Sequence, residues 1–135
     1  ANIYGFDSFE GLMEDWKGDG LQKGMFKLKE MPDVPKNVVL IKGWFQDTLK
    51  NFLKEKNEKI NFIHMDCDTY EATLYVLQTI KPYLCKNAIL TFDNHCNRAS
   101  WQVGELKALK ETFSDTEYRY ISFSRDAGGA TIQTT

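Results

Sequence analysis

Ile60-Asn61-Phe62-Ile63-His64-Met65-Asp66 and Ala88-Ile89-Leu90-Thr91-Phe92-Asp93 are two apolar runs, each closing on a carboxylate. Cys67-Asp68 follows the first and Asn94-His95 the second. Near-continuous apolar runs of strand length imply burial on both faces, as in a parallel sheet. The residues between them predict a helix. Asp68-Thr69-Tyr70-Glu71 reads as a capping box with Asp68 in the cap, and Tyr70, Leu74, Leu77 and Leu84 follow at helical spacing. Pro82 kinks that helix or ends its regular part. A strand–helix–strand unit brings both carboxylates to one edge, where open α/β sheets bind ligands. Asp66, Asp93 and Asn94 would be three oxygen donors there, a set that suits a hard cation such as Mg²⁺.

Outward from this unit the pattern repeats. Asn2–Phe6 predicts a strand ending at Asp7, and Val38–Lys42 a second, β-branched strand. Between them, from Ser8, the chain is glycine-rich and acidic, which predicts a long loop with at most a helical turn near Met13–Trp16. Loops of that length inside a domain are usually functional. Asp47 or Thr48 is expected to cap a helix running to about Lys56, with Leu49, Phe52 and Leu53 inward. Trp101–Phe113 predicts an amphipathic helix with Leu106, Leu109 and Phe113 inward. Tyr118–Ser122 and Ala130–Gln133 predict two strands around the turn Asp126-Ala127-Gly128-Gly129. Strands alternating with helices and closing on a hairpin indicate a three-layer α/β fold with an antiparallel end.

The 135 residues are 42% hydrophobic and 27% charged with a net charge of −2, which fits one ordinary globular domain over 1–135. No Lys/Arg-rich run suggests a nucleic-acid partner. No apolar stretch reaches the roughly 20 residues of a membrane span. Cys67, Cys85 and Cys96 form no C-x-x-C pair, and an odd count favours reduced thiols and a cytoplasmic location.

Asp66-Cys67-Asp68-Thr69 admits more than one chemistry. D-x-D-x-T after a strand resembles haloacid-dehalogenase-type phosphatases, with Asp66 as nucleophile and Asp68 as acid/base. D-x-D also resembles the metal-binding turn of nucleotide-sugar glycosyltransferases. A phosphatase needs a later Lys and a further acidic motif, and no G-D-x-x-x-D follows Asp93. A helix cap at Asp68 needs no catalytic role at all. A third alternative is a truncated module that only oligomerises or binds a partner.

Four blocks in order narrow the choice: Tyr4-Gly5-Phe6-Asp7-Ser8-Phe9-Glu10-Gly11-Leu12, Lys42-Gly43-Trp44-Phe45-Gln46-Asp47-Thr48-Leu49, His64-Met65-Asp66-Cys67-Asp68-Thr69-Tyr70 and Phe92-Asp93-Asn94. Together they resemble the class I S-adenosylmethionine-dependent O-methyltransferases of the macrocin/mycinamicin (TylF-like) family. The resemblance implies a Rossmann-like, mostly parallel sheet. Asp7, with Ser8 beside it, would meet the cofactor ribose. Gln46 and Asp47 would lie against the adenine, and Trp44 or Phe45 would pack on its ring. Asp66, Asp93 and Asn94 match the family's metal ligands and resemble those of catechol O-methyltransferases. The implied reaction is in-line methyl transfer to a hydroxyl of a sugar or polyhydroxylated small molecule. Mg²⁺ would serve as Lewis acid and template, with Asp66 among the catalytic groups.

The chain departs from the catechol pattern at the base: Thr69 stands where a lysine is expected. His95, next to Asn94, is the candidate base because imidazole titrates near neutrality. A surface-loop histidine is the plain alternative. His64 shares a strand face with Asp66 and is expected to be a buried structural or supporting histidine. A soft-metal set of His64, Cys67, His95 and Cys96 is disfavoured because Cys67 alternates to the other face. Phe9, Trp16 and Phe26 are candidates to cover the site or simply to pack the loop.

The resemblance also exposes a gap. Class I methyltransferases open with a strand and a Gly-rich turn, and the first strand here matches the family's second. The absent strand would sit centrally, so its loss would leave two strands with unpaired backbone. The expectation is an N-terminally truncated domain that is a poor or inactive methyltransferase alone, with a homodimer as a compatible assembly.

Overall fold

The computed structural model describes every residue except Ala1, Asn2, Lys17, Asp19, Asn97, Arg98, Ser100, Asp126 and Ala127. Strand β1 (Ile3–Asp7) pairs in parallel with β2 (Val38–Lys42), forming a two-stranded sheet. Helix α1 (Phe45–Lys56) leads to β3 (Ile60–Met65), and α2 (Tyr70–Ile80) connects β3 to β4 (Leu84–Phe92). Helix α3 (Glu105–Thr112) precedes the antiparallel pair β5 (Tyr118–Phe123) and β6 (Ala130–Thr134). The second sheet has the order β3-β4-β6-β5, with β3 and β4 parallel and β6 antiparallel to β4. Among the described residues β1 and β3 therefore each keep one edge without a strand partner.

The core lies between this larger sheet and a row of helices. Helix α2 touches both α1 and α3. Met65, Ala88, Leu90, Phe92 and Ile132 meet Leu77, Ile80, Ala108 and Leu109 there, all almost fully buried. The opposite face of the sheet is open. Phe62 is 61% exposed, and its β4 partner Ile89 is half-buried. Burial on both faces of β3, expected from its apolar run, is thus not met. The described residues supply two of the three layers, the sheet and one helical row. His64 shares the open face and is exposed rather than buried.

Several local expectations shift. Helix α1 begins at Phe45, two residues before the expected cap. Trp44 is its N-cap without a side-chain bond, and the Thr48 hydroxyl donates back to the Trp44 carbonyl at 2.9 Å. Thr69, not Asp68, caps α2: its Oγ1 accepts from Ala72 N. Asp68 sits at φ +60°, a left-handed conformation that asparagine and aspartate tolerate best after glycine, so it stands outside the helix. Pro82 does end α2, inside the 3₁₀ turn Lys81–Tyr83. Leu84 is consequently the first residue of β4 and not a helical position. Trp101–Val103 is a separate 3₁₀ turn, so α3 is shorter than expected. The predicted hairpin turn lies partly outside the described residues, at Asp126 and Ala127.

Candidate functional site

The carboxyl ends of β1, β2 and β3 meet at one hollow of about 130 Å³. Asp7 and Ser8 line it from β1. Trp44, Phe45 and Gln46 line it from the β2–α1 junction, and Asp66, Cys67, Asp68 and Thr69 from the end of β3. The structure thus brings six of the sequence-predicted residues to one wall: Asp7, Ser8, Trp44, Phe45, Gln46 and Asp66. Asp47, exposed on the first turn of α1, is not among the lining residues, and neither are Asp93, Asn94 and His95.

Each strand end is fixed locally. Asp7 Oδ1 accepts from Phe9 N at 2.5 Å, an Asx-type turn that directs the chain into the long loop. The Asp7 carbonyl accepts from Gly43 N at 3.0 Å, which ties the ends of β1 and β2 together. The loop then folds on itself. Leu12 N donates to Met25 O and Gly24 N to Leu12 O, both at 2.9 Å. Gly11, at φ +80°, is required by this crossing, since a Cβ there would lie 2.2 Å from the Met25 carbonyl oxygen. Phe9 and Trp16 are buried as loop packing, whereas the exposed Phe26 lines the hollow with Gly11, Leu12, Met13 and Glu14.

Beside the hollow, the ends of β3 and β4 form an acidic corner. Asp93 N donates to Met65 O at 3.0 Å, continuing the ladder one step past the strands and setting Asp93 next to Asp66. Both side chains are exposed. Asn94 is only 5% exposed, and its Nδ2 donates to Asp68 Oδ1 at 3.2 Å, with Asp66 Oδ1 at 3.5 Å. Glu105, fully buried at the start of α3, completes the corner: its Oε2 accepts from Asn94 N at 2.9 Å. Burial first, and then the charges of Asp66, Asp93 and Asp68, push the Glu105 carboxyl up to about 8, against the opposing hydrogen bond from Asn94. Burial, with Glu105, Asp66 and Asp68 adding to it, also pushes the Cys67 thiol well up, so it is no thiolate nucleophile at neutral pH.

Glu105 is the residue that sequence reasoning missed. Its signal was present: it lies four residues before Leu109 and eight before Phe113, on the same helical face as both.

His95 lies elsewhere. It is 2% exposed, its ring sits 5.1 Å from Phe92, and Nε2 shares a 2.6 Å hydrogen bond with the Tyr120 hydroxyl. Burial holds its imidazole down to about 4 and raises the Tyr120 phenol to about 12, so the pair is neutral at pH 7. Cys96 turns to the Gly128 carbonyl instead, with Sγ at 3.2 Å.

Among the described residues no three His, Cys, Asp or Glu side chains gather closely enough to hold a metal ion. A set that counts Asn94 as its third donor is a different case. Among the described residues the buried Asn94 Oδ1 has no hydrogen-bond partner. The amide instead turns Nδ2 toward the carboxylates of Asp66 and Asp68, as a positive group would face them. Half a turn of the amide would replace Nδ2 by Oδ1 in that position. With Asp66 and Asp93 alongside, the donor set is all oxygen and fits a hard divalent cation.

A family model described as a methyltransferase domain matches residues 1–95. No curated protein matches. The chain superposes on CalS11, a calicheamicin methyltransferase, with a TM-score of 0.80 at 24% identity, covering 98% of this chain and 60% of that one. An apo structure of CalS11, described as a TDP-rhamnose 3′-O-methyltransferase of calicheamicin biosynthesis, gives 0.62 at 28% identity over 74% of this chain and 42% of that one. The O-methyltransferase NovP gives 0.66 at 21% identity over 99% and 60%. SMU.776, solved in complex with SAH, gives 0.52 at 12% identity over 75% of this chain and 33% of that one. The fold is therefore the α/β Rossmann-like one of these methyltransferases, and the chain spans about 60% of the length of CalS11 and NovP.

Proposed function

Because the chain belongs to the methyltransferase domain family, we propose that it serves S-adenosylmethionine-dependent O-methyl transfer to a hydroxyl of a sugar or polyhydroxylated small molecule. The observation that carries this reading is the shared hollow, which Asp7, Trp44, Phe45 and Gln46 line together with Asp66 and Asp68. The sugar chemistry named for CalS11 supports the acceptor class.

Asp7 would accept hydrogen bonds from the ribose hydroxyls through the oxygen not held by Phe9 N. Trp44 and Phe45 offer faces for the adenine, and Gln46 offers its amide. Asp66, Asp93 and Asn94 would hold a divalent cation. Bound there, such an ion supplies Lewis-acid polarisation of the acceptor hydroxyl and fixes its position. Asp68 is on the hollow's wall, beside Asp66, and would receive the acceptor's proton. His95 is less suited, with Nε2 already engaged by Tyr120 and its basicity lowered by burial.

The hollow is small for a cofactor site: about 130 Å³ against roughly 300–1,000 Å³ for typical ligand pockets. A strand and turn placed between the free edges of β1 and β3 would join the two sheets and add the missing wall. The 135-residue chain is therefore expected to bind the cofactor only weakly. Two measurements test this. Crystals soaked in millimolar S-adenosylhomocysteine with Mn²⁺ should show the nucleoside against Asp7 and Gln46, and a manganese anomalous peak at Asp66, Asp93 and Asn94. A phosphate analogue bonded to Asp66 would favour phosphoryl transfer instead, and absence of all three would overturn the enzyme reading. Calorimetric binding of S-adenosylmethionine at micromolar affinity would refute the incomplete-pocket part.

A further inference from the structure

We propose that Glu105 is the positioning residue that sets the Asp93–Asn94 turn for a divalent cation, an assignment that rests on the cation reading above. Glu105 opens α3, but its Oε2 does not serve the amides of its own helix. It reaches across to Asn94 N at 2.9 Å. Asn94 then extends Nδ2 to Asp68 at 3.2 Å and toward Asp66 at 3.5 Å. A continuous path of contacts thus runs from the core helix α3, through the turn after β4, to the carboxylates after β3.

The geometry separates the two jobs of Asn94. Its backbone is held by Glu105, while its side-chain amide faces the carboxylates. Rotating the amide to present Oδ1 to a cation leaves the backbone bond untouched. Glu105 can therefore hold the residue in place whichever amide atom faces the site. Burial points the same way. Glu105 is fully buried, and among the described residues Oε1 has no hydrogen-bond partner and no Lys or Arg pairs with the carboxyl group. An apolar residue of similar volume would fill this place in the core without the cost of burying a carboxyl group. A residue that only packed α3 would have no need to reach Asn94.

Three variants of the 135-residue chain test the assignment by two readouts, amide hydrogen exchange at Asn94 and Mn²⁺ affinity by electron paramagnetic resonance. Glu105→Gln keeps an acceptor at the same reach. It should retain slow exchange and hold Mn²⁺ to within about threefold of the parent. Glu105→Ala removes the acceptor. It should speed Asn94 exchange roughly tenfold or more and weaken Mn²⁺ by about tenfold to a hundredfold. Glu105→Asp, one methylene short, should resemble the alanine variant with less disturbance of folding. Unchanged exchange in both shortened variants would overturn the proposal, and so would equal losses in the glutamine and alanine variants. If the parent binds no Mn²⁺, the cation reading fails on its own. The exchange comparison then still decides whether Glu105 positions the turn.

Discussion

Replacing Glu105 by Gln should raise stability at neutral pH and flatten its dependence on pH. In the folded chain burial and three nearby acids lift this carboxyl to about 8, from an ordinary value of 4.5. The folded state then keeps a proton that the unfolded state gives up between those values. Stability contributed by the group is complete below pH 4.5 and is lost as pH rises toward 8. The slope there is about 1.4 kcal/mol per pH unit for one proton. At pH 7 the group lies 2.5 units above its unfolded value of 4.5, which corresponds to about 3 kcal/mol. Glutamine preserves an acceptor for Asn94 N and does not titrate. Urea unfolding of both proteins at pH 5, 6, 7 and 8, followed by tryptophan fluorescence, should give curves that diverge with pH. The variant should gain up to about 3 kcal/mol by pH 7. Groups common to both proteins, His95 included, cancel in the difference. Excess Mg²⁺ should narrow the divergence, because a cation at the corner favours the ionised carboxylate. Parallel stability curves for parent and variant would refute the electrostatic account of the corner.

Gly11→Ala should disrupt the loop that lines the hollow, since the added Cβ meets the Met25 carbonyl oxygen at 2.2 Å and φ is +80°. Limited proteolysis should cut between 8 and 28 faster than in the parent, while the melting of the β3–β6 core changes little. His95, held down to about 4 from 6.5, contributes stability present above pH 6.5 and lost as pH falls through 4. That contribution is about 3 kcal/mol, and acid titration of a His95→Gln variant should show a shallower loss over this window. Leu77→Ala, at a fully buried contact between α2 and the sheet, should cost roughly 2–5 kcal/mol in the same denaturation assay.

The site's outline was legible because its residues sit at strand ends, and strand ends are written locally. The apolar runs before Asp66 and Asp93 dictate two parallel strands, and a helix-length segment between them dictates the crossover. From that it follows that the two carboxylates are neighbours, which the Asp93 N–Met65 O bond realises. The cap of α2 is ambiguous in the sequence for a local reason of another kind. Asp68 and Thr69 both suit an N-cap, and only the left-handed backbone at Asp68 decides between them. Leu84 fits the helical spacing yet begins β4, because periodicity carries on through Pro82 while helical hydrogen bonding does not.

What the sequence by itself determined is the order of strands and helices, the strand-end carboxylates and the polar loop over them, all consequences of patterns a few residues long. Tertiary structure alone decided where the neighbours of those residues point. His95 follows Asn94 in the chain, yet its side chain turns to Phe92 and Tyr120 and leaves the acidic corner. Glu105 is eleven residues beyond Asn94, yet it is buried against that residue's backbone. Side-chain burial and charge depend on distant segments packed in three dimensions, and no local spacing encodes them. The same reason explains the open face of β3. Its apolar residues call for cover, and only the assembled sheet shows which of them the described helices reach.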